Sequence, residues 1–228
     1  MKHTFFVTGT DTDVGKTVIS AGLLAKANKQ ALRTIGLKPI AAGCEKTDEG
    51  LRNADALLLQ KTASVALLYD QINPVTIKPA IAPHIGAAMA GKRLTIDRLT
   101  GYVRGALANK ADLTIIEGAG GWLVPLNPVE QLSGLPVALN TPVILVVGMR
   151  LGCLNHALLT VESVIAKGLP LAGWVANCVD ADMAAQEDNI NTLRAMLRAP
   201  CLGIVPYIDG ITPEQAAKYL DVTTLIGE

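Results

Sequence analysis

The chain has 228 residues, and its 20 basic and 20 acidic side chains give a formal net charge of zero. We expect a single domain over residues 1–228, because no break in composition divides the chain. The neutral balance argues against a nucleic-acid binder, which needs a basic surface, and against attachment to an anionic membrane. Half of the residues are hydrophobic but only 4% are aromatic, so aliphatic side chains must form the core, as they do in buried parallel strands.

No apolar stretch reaches the roughly 20 residues that a membrane-spanning helix needs. Residues 1–9 contain no long apolar region, so we expect no signal peptide. Four cysteines are scattered along the chain without a C-x-x-C pair, at Cys44, Cys153, Cys178 and Cys201. This distribution favours reduced thiols. Together these features predict a cytoplasmic protein with no membrane partner.

Short aliphatic runs alternate along the chain with segments of helical periodicity. The predicted strands are Thr4–Thr8, Thr34–Lys38, Leu113–Glu117, Val143–Gly148, Leu171–Asn177 and Leu202–Pro206. The predicted helices are Lys16–Asn28, Asn53–Thr62, Ile96–Asn109, Leu154–Lys167 and Met183–Leu197. Between them, the proline-containing stretch Asp70–Pro83 is typical of a long surface loop, and such loops are often functional. The alternation predicts an α/β fold with a doubly wound, mostly parallel sheet flanked by helices.

The segment Gly9–Thr17 follows the first predicted strand and leads into a helix. Its glycines allow a tight turn, and successive amides at a helix N-terminus form a cradle for an anion. In such a loop Lys16 would neutralise phosphate charge, and the Thr17 hydroxyl would face Mg²⁺. Five residues separate Gly9 from Gly15, one more than in the usual phosphate loop. The pattern predicts a nucleotide site of the P-loop NTPase type, but it does not select a reaction.

Charged side chains end two further predicted strands. Ligands of parallel α/β sheets bind beyond the carboxyl ends of the strands. Lys38 ends the second strand and would stabilise charge on a transferring phosphoryl group. Glu117 ends the third strand, like the metal-holding acid of phosphate-loop enzymes, and the glycines after it can bring amides to a second anion. Without a family, Asp55 is interpreted as an acid at a helix N-terminus, and His84 and His156 as structural or substrate-contacting residues.

Together these elements resemble the dethiobiotin synthetase family, ATP-dependent enzymes of biotin synthesis. The motifs that carry the resemblance follow one another in order over nearly the whole chain: Gly9–Thr17, Gly36–Pro39, Glu45–Thr47, Glu49–Ala56, Asn73-Pro74, Pro83-His84, Glu117–Trp122, Pro142–Gly148, Leu151–Ala157 and Gly173–Asn177. The five-residue glycine spacing, with Thr10-Asp11-Thr12 inside it, is specific to this family among phosphate-loop proteins.

The resemblance implies an ATP- and Mg²⁺-dependent conversion of 7,8-diaminononanoate and CO₂ to dethiobiotin, ADP and phosphate. One amine forms a carbamate, the carbamate takes the γ-phosphoryl group, and the second amine closes the ureido ring and expels phosphate. Such chemistry rests on positioning and charge neutralisation. The resemblance also implies a homodimer, so a second copy of the chain is the expected protein partner.

The resemblance further implies a role for individual residues. Lys16 and Lys38 are the expected catalytic residues. The expected nucleotide-binding set is Asp13, Val14, Gly15, Lys16, Thr17, Val18, Asp55, Glu117, Gly118, Ala119, Gly120, Asn177, Pro206 and Tyr207, of which Thr17, Asp55 and Glu117 would hold Mg²⁺ and the last three would line the adenine pocket. The expected substrate-binding set is Thr12, Lys38, Ala42, Gly118, Leu151 and Asn155, with Leu151 and Asn155 supplied by the second copy.

Two positions depart from the family pattern. Asp13 stands where the family often has Glu, which keeps the charge on a shorter side chain. Ala42 stands where the family usually has a Ser or Thr that contacts substrate. The hydroxyl contact to the carbamate is therefore missing from this chain.

Other functions stay open at this point. A ParA/MinD-like ATPase switch shares the expected fold, but such proteins carry a Lys where this chain has Asp11. Amide- or ring-forming enzymes of the cobyrinic-acid type are longer and need an extra glutaminase domain. A nucleotide-binding paralogue with weak synthetase activity is favoured only by Ala42.

Overall fold

The computed structural model describes residues 3–227, so residues 1–2 and 228, at the ends of the predicted domain, lie outside it. Its strands are β1 (His3–Gly9), β2 (Thr34–Leu37), β3 (Ile40–Ala42), β4 (Glu45–Thr47), β5 (Gly50–Arg52), β6 (Val75–Ile77), β7 (Leu113–Glu117), β8 (Val143–Met149), β9 (Leu171–Cys178) and β10 (Cys201–Val205). Its α-helices are α1 (Lys16–Asn28), α2 (Ala54–Thr62), α3 (Tyr69–Ile72), α4 (Pro83–Met89), α5 (Ile96–Leu107), α6 (Gly134–Leu139), α7 (Cys153–Ala166), α8 (Gln186–Met196), α9 (Pro213–Ala216) and α10 (Thr223–Ile226). A short 3₁₀ turn, Ala217–Tyr219, follows α9.

Six parallel strands form the central sheet, in the order β10-β9-β8-β1-β7-β2. All seven residues of β8 are buried, as expected for a strand covered on both faces. Two small sheets flank this one: β3 pairs in parallel with β6, and β4 pairs with β5 in an antiparallel hairpin. The predicted mostly parallel α/β sheet is confirmed.

Helices cover both faces of the central sheet. Successive side chains of a strand point to opposite faces, so neighbouring residues of β1 pack against different helices. On one face, Val7 of β1 packs in the same core cluster as Ile19 of α1. On the other face, the neighbouring Phe6 packs in a cluster with Leu99 of α5. Within residues 3–227, no helix is both long enough and apolar enough to cross a lipid bilayer.

All of the predicted strands and helices are present, with ends that differ from the prediction by one to three residues or coincide with it. The prediction of a long surface loop over Asp70–Pro83 is wrong. That segment contains most of α3, all of β6 and the first residue of α4. Pro74 and Pro79 lie outside β6, which therefore keeps the backbone groups that pair with β3. The β-branched Val75-Thr76-Ile77 run was the missed signal for a strand.

Candidate active site

The phosphate loop joins β1 to α1 at the carboxyl edge of the central sheet. Gly15, the residue before α1, has φ +82°, a conformation that side chains other than glycine rarely adopt. A Cβ at this position would also overlap the amide nitrogen of Asn177. Both constraints require glycine at position 15, and together they fix the turn that starts α1.

The Val14 side chain holds this loop against the sheet. It is fully buried and fills a socket formed by two glycines. A Cβ would lie 2.6 Å from Val14 Cγ2 at Gly9, and 2.7 Å from Val14 Cγ1 at Gly148 on β8. Because real side chains do not approach so closely, the absence of a side chain at both glycines is what admits Val14. The loop is thus locked by packing before any ligand binds.

Asn177 on β9 holds the same loop by a hydrogen bond. Its Nδ2 donates to the Val14 carbonyl at 2.9 Å, and the residue is buried. Strand β9, which lies two strands from β1 in the sheet, thereby fixes the backbone of the loop next to Gly15. This contact was not predicted from the sequence, where Asn177 was expected only as an adenine ligand.

Lys16 lies folded back over the phosphate loop. Its Nζ donates to the Asp11 carbonyl at 2.8 Å, and the side chain is buried. Burial, followed by repulsion from Lys38, lowers the pKa of Lys16 to about 8. The side chain of Asp11 accepts a hydrogen bond at 2.6 Å from Arg150, so an exposed ion pair borders the outer side of the loop.

Lys38 is the centre of a charged cluster beside the loop. Its Nζ forms ion pairs with the Glu117 carboxylate and, at 3.1 Å, with Asp55 Oδ2. Burial alone would lower the pKa of Lys38, but the two carboxylates outweigh it and raise that pKa above its usual value. The same Glu117 oxygen that pairs with Lys38, Oε1, also accepts a hydrogen bond from the Thr17 hydroxyl at 2.8 Å. The structure therefore brings Thr17, Lys38, Asp55 and Glu117 together.

The oxygen atoms of this cluster suit Mg²⁺. Glu117 is completely buried, and its Oε2 has no hydrogen-bond partner among residues 3–227. Asp55 is partly exposed on the cavity side, and Thr17 adds a hydroxyl. The described part of the chain contains no group of three or more His, Cys, Asp or Glu side chains able to hold a metal by themselves. The donor set thus fits a hard cation that takes part of its shell from phosphates and water, as Mg²⁺ does in nucleotide sites.

A cavity of about 1170 Å³ opens in front of the loop and the charged cluster. Its lining includes the predicted site residues Thr12, Asp13, Gly15, Lys16, Thr17, Val18, Lys38, Ala42, Asp55, Glu117, Ala119 and Gly120. Residues 80–83 and 123–125 add a mainly apolar part of the lining. Asn53 also lines the cavity. The sequence prediction missed these further residues, although the proline-containing stretch was expected to be functional.

Several predicted site residues lie outside this cavity. The Gly118 amide donates to the Val7 carbonyl at 2.9 Å and so continues the strand pairing. Tyr207 is exposed just beyond β10, after Pro206. Leu151 and Asn155 are exposed at the start of α7, with Leu151 95% exposed.

Comparisons with known proteins identify the family. The AAA domain family matches residues 3–215. The ATP-dependent dethiobiotin synthetase BioD of Cellvibrio japonicus is 54% identical over 225 residues, which cover 99% of this chain and 98% of the relative. That of Pseudomonas aeruginosa is 54% identical over 221 residues, 97% of each chain. The chain belongs to the ATP-dependent dethiobiotin synthetase family. This confirms the predicted enzyme class, a ligase.

Solved structures with the same architecture share much less sequence. MinD of Pyrococcus horikoshii, complexed with Mg-ADP, aligns with a TM-score of 0.58 and 16% identity over 100% of this chain and 90% of that chain. The signal recognition particle receptor FtsY of Elizabethkingia anophelis aligns with a TM-score of 0.54 and 18% identity, over 99% of this chain and 64% of FtsY. These likenesses show the fold alone, and they confirm the predicted P-loop NTPase architecture. The dethiobiotin synthetase relatives, not MinD, define the family.

Proposed function

We propose that this chain carries out the complete dethiobiotin synthetase reaction as a single domain spanning residues 1–228. The reaction would combine 7,8-diaminononanoate, CO₂ and ATP to give dethiobiotin, ADP and phosphate, with Mg²⁺ as cofactor. The proposal includes a cytoplasmic homodimer, with no nucleic-acid or membrane partner. A nucleotide-binding paralogue with weak synthetase activity is the alternative.

The observation that carries the proposal is the position of Lys38 beside the phosphate loop. Its ammonium group contacts two carboxylates that face the same cavity as Lys16. Two cations here would neutralise both the transferring phosphoryl group and the carbamate that receives it. A nucleotide switch does not need a second cation placed on the substrate side of the phosphates. We therefore propose Lys16 and Lys38 as the catalytic residues.

ATP would bind along the phosphate loop, with its phosphates on residues 13–18. Asn177, Pro206 and Tyr207 would form the adenine pocket. The hydrogen bond from Asn177 to the Val14 carbonyl supports this arrangement, because it places the Asn177 amide next to the loop.

Thr17, Asp55 and Glu117 would hold Mg²⁺. When bound, Mg²⁺ would neutralise charge on the β- and γ-phosphates. Support comes from the oxygen-rich cluster and from the unpaired, buried Glu117 Oε2. Because Glu117 also pairs with Lys38, one carboxylate would link the metal to the catalytic lysine.

The reaction would proceed in three balanced steps. First, one amine of the diamine adds to CO₂ and loses a proton, which gives a carbamate. Second, a carbamate oxygen attacks the γ-phosphorus, and the bond to the β-phosphate oxygen breaks to release ADP. Third, the second amine attacks the carbonyl carbon of this carbamic-phosphoric anhydride and loses a proton, and the carbon–oxygen bond breaks to release phosphate. Holding the amines close to the phosphoryl group would account for much of the rate.

The diamine would lie in the cavity, with its amines towards the charged cluster around Lys38. The carbamate would contact Lys38, Thr12 and the backbone amides of Ala119 and Gly120. The Gly118 N–H already donates to the Val7 carbonyl, so the predicted contact of Gly118 with substrate would have to use other atoms of that residue. The aliphatic chain would lie along the apolar lining of the cavity.

The carboxylate end of the diamine would extend to Leu151 and Asn155 of a second copy. The nearly complete exposure of Leu151 supports a contact between copies, because exposed apolar side chains of this size often mark interfaces.

The test is direct detection of product. The protein is incubated with 7,8-diaminononanoate, bicarbonate and MgATP, and dethiobiotin is measured by mass spectrometry alongside ADP. We expect dethiobiotin and ADP to form together in equal amounts. Lys38→Ala should abolish product, whereas Lys61→Ala, which removes an exposed lysine on α2, should leave it unchanged. Binding or hydrolysis of ATP with little or no dethiobiotin would support the paralogue instead.

A further inference from the structure

A buried chain of hydrogen bonds runs from the backbone of Lys38 to the start of α2. Asn73 Nδ2 donates to the Lys38 carbonyl at 2.6 Å, and the Tyr69 hydroxyl donates to Asn73 Oδ1 at 2.9 Å. The same hydroxyl accepts a hydrogen bond from the Asn53 backbone N–H at 2.7 Å. Each side chain thus orients the next along a single relay, and such bonds strengthen one another.

The relay joins the backbone of Lys38 to Asn53, which lies two residues before Asp55, the partner of Lys38 in the ion pair. Asn53 caps α2, because its Oδ1 accepts from the Ala56 N–H at 3.2 Å. Asp55 lies in the first turn of that helix. At the other end of the relay, the Lys38 N–H donates to the Ile72 carbonyl at 2.9 Å, so the last residue of α3 and Asn73 directly after it hold both backbone groups of Lys38. Asn53 Nδ2 also donates to the Ala42 carbonyl at 3.2 Å.

Burial makes this relay selective for one geometry. Asn73 is 1% exposed, and Asn53 and Tyr69 are each 7% exposed. Arg52 covers the Tyr69 ring at 4.2 Å from its centroid. Burial raises the pKa of Tyr69, so its hydroxyl keeps the proton that it donates. If a polar group of the relay moved, it would lose its hydrogen-bond partner, and no water could take that partner's place. Movement of the relay is therefore costly in free energy.

We propose that Tyr69 and Asn73 are positioning residues for the reaction: they set the position of Lys38 relative to Asp55, and through it the geometry of phosphoryl transfer. This inference rests on the proposed function, and it assigns a role to the segment that joins α3 to β6. Neither residue lines the cavity, so both would act through Lys38 and through the Asn53 cap.

The chain contains a matched control at the opposite end of β2. Thr34 is fully buried, and its hydroxyl accepts from the Ser64 N–H at 3.0 Å and donates to Asn28 Oδ1 at 2.7 Å. Like the Tyr69 hydroxyl, it accepts from a backbone N–H and donates to an asparagine Oδ1, and it has a longer contact of 3.4 Å to the Ser64 hydroxyl. Thr34 lies four residues before Lys38, about 13 Å away along the strand. Thr34→Val therefore removes an equivalent buried hydroxyl without touching the relay.

The first readout is steady-state kinetics with each substrate varied in turn. Tyr69→Phe should lower kcat about tenfold, because small displacements of a catalytic group have large effects on rate. The KM for ATP should stay within about twofold, since no hydrogen bond within residues 3–227 joins the relay side chains to the phosphate loop. Thr34→Val should keep a normal kcat. Both variants should melt about 3–10 °C below the unchanged protein.

The second readout needs no turnover. Each protein is treated with acetic anhydride without ligands, and acetylation of Lys38 is measured by mass spectrometry relative to the exposed Lys61. Tyr69→Phe should raise this ratio about threefold, because a loosened Lys38 is sampled more often in open states, and Thr34→Val should leave it unchanged. Equal kcat values or equal labelling ratios for Tyr69→Phe and Thr34→Val would overturn the inference. An unchanged protein that makes no dethiobiotin would contradict the proposed function, while the labelling ratio still tests the position of Lys38.

Discussion

The phosphate loop and the Lys38 cluster face the same cavity, but different forces hold them. The loop is locked mainly by packing, with Val14 enclosed between Gly9 and Gly148. Lys38 is held by ion pairs and hydrogen bonds, including a hydrogen bond from Asn73, which lies 35 positions further along the chain. A packed loop presents a rigid anion site to any nucleotide. The position of a hydrogen-bonded lysine, in contrast, can be adjusted by residues that never touch substrate. The comparison suggests that nucleotide binding and reaction chemistry can be perturbed separately.

Among variants of the phosphate loop, the largest expected effect comes from removing Lys16, the cation of the loop. Lys16→Ala should lower kcat for dethiobiotin formation about 100-fold or more, because a preorganised charge near the phosphoryl group is lost. Lys26→Ala, on the same helix but away from the cavity, is the control. Product formation is followed by mass spectrometry. A near-normal kcat for Lys16→Ala would remove Lys16 from the mechanism.

The next effect tests whether packing holds the loop. Gly148→Ala places a Cβ 2.7 Å from Val14, whose branched side chain has little freedom to move. We expect a loss of about 1–3 kcal/mol in the free energy of unfolding, together with weaker ADP binding. Gly101→Ala in α5 meets no atom within 4 Å, so it should be neutral or add about 0.5–1 kcal/mol. Denaturant unfolding and calorimetry measure both, and equal stabilities would argue against the Val14 socket.

Asn177→Ala tests two roles of the Asn177 side chain, its hydrogen bond to the phosphate loop and its proposed contact with adenine. Loss of its hydrogen bond to Val14 should weaken any ligand of the loop, so binding of tripolyphosphate should fall about threefold. ATP should lose about tenfold, because the proposed adenine contact is lost as well. Titration calorimetry with the two ligands provides the comparison. Equal losses would show that Asn177 only supports the loop.

The smallest expected effect lies on the Lys38 side of the cavity. Ala42→Ser should lower the KM for the diamine about 3- to 10-fold, because a hydrogen bond to the carbamate would be gained while an ordered water is lost. The KM for ATP should not change, since the phosphates of ATP would lie on the phosphate loop. An increase in the diamine KM would mean that the site is built around Ala42.

The same contrast explains which parts could be predicted from the sequence. The loop, α1 and the Glu117 strand end are contiguous motifs, so residue order alone places Lys16, Thr17 and Glu117 at one edge of a parallel sheet. Lys38 ends its predicted strand in the same way. These residues lie together in the structure.

The remainder depended on contacts between distant segments. Asp55 was correctly interpreted as an acid at a helix N-terminus, but its proximity to Lys38 depends on where α2 packs. The Asp70–Pro83 segment was predicted as a loop because its prolines are conspicuous, whereas the buried Tyr69 and Asn73 carry the hydrogen bonds. No local sequence pattern predicts a hydrogen-bond relay that joins residues 38, 53, 69 and 73. Asn73-Pro74 is one of the motifs of the resemblance, but nothing in the sequence indicates that Asn73 bonds to the backbone of Lys38.

Oxygen transfer from CO₂ to phosphate tests the proposed mechanism most directly. The protein is supplied with ¹⁸O-labelled bicarbonate, 7,8-diaminononanoate and MgATP, and the products are analysed by mass spectrometry before the label exchanges with water. The carbamate oxygen that attacks the γ-phosphorus leaves with it, so each phosphate released should carry one ¹⁸O, and dethiobiotin should form in equal amount. Unlabelled phosphate, or phosphate released without dethiobiotin, would contradict the account.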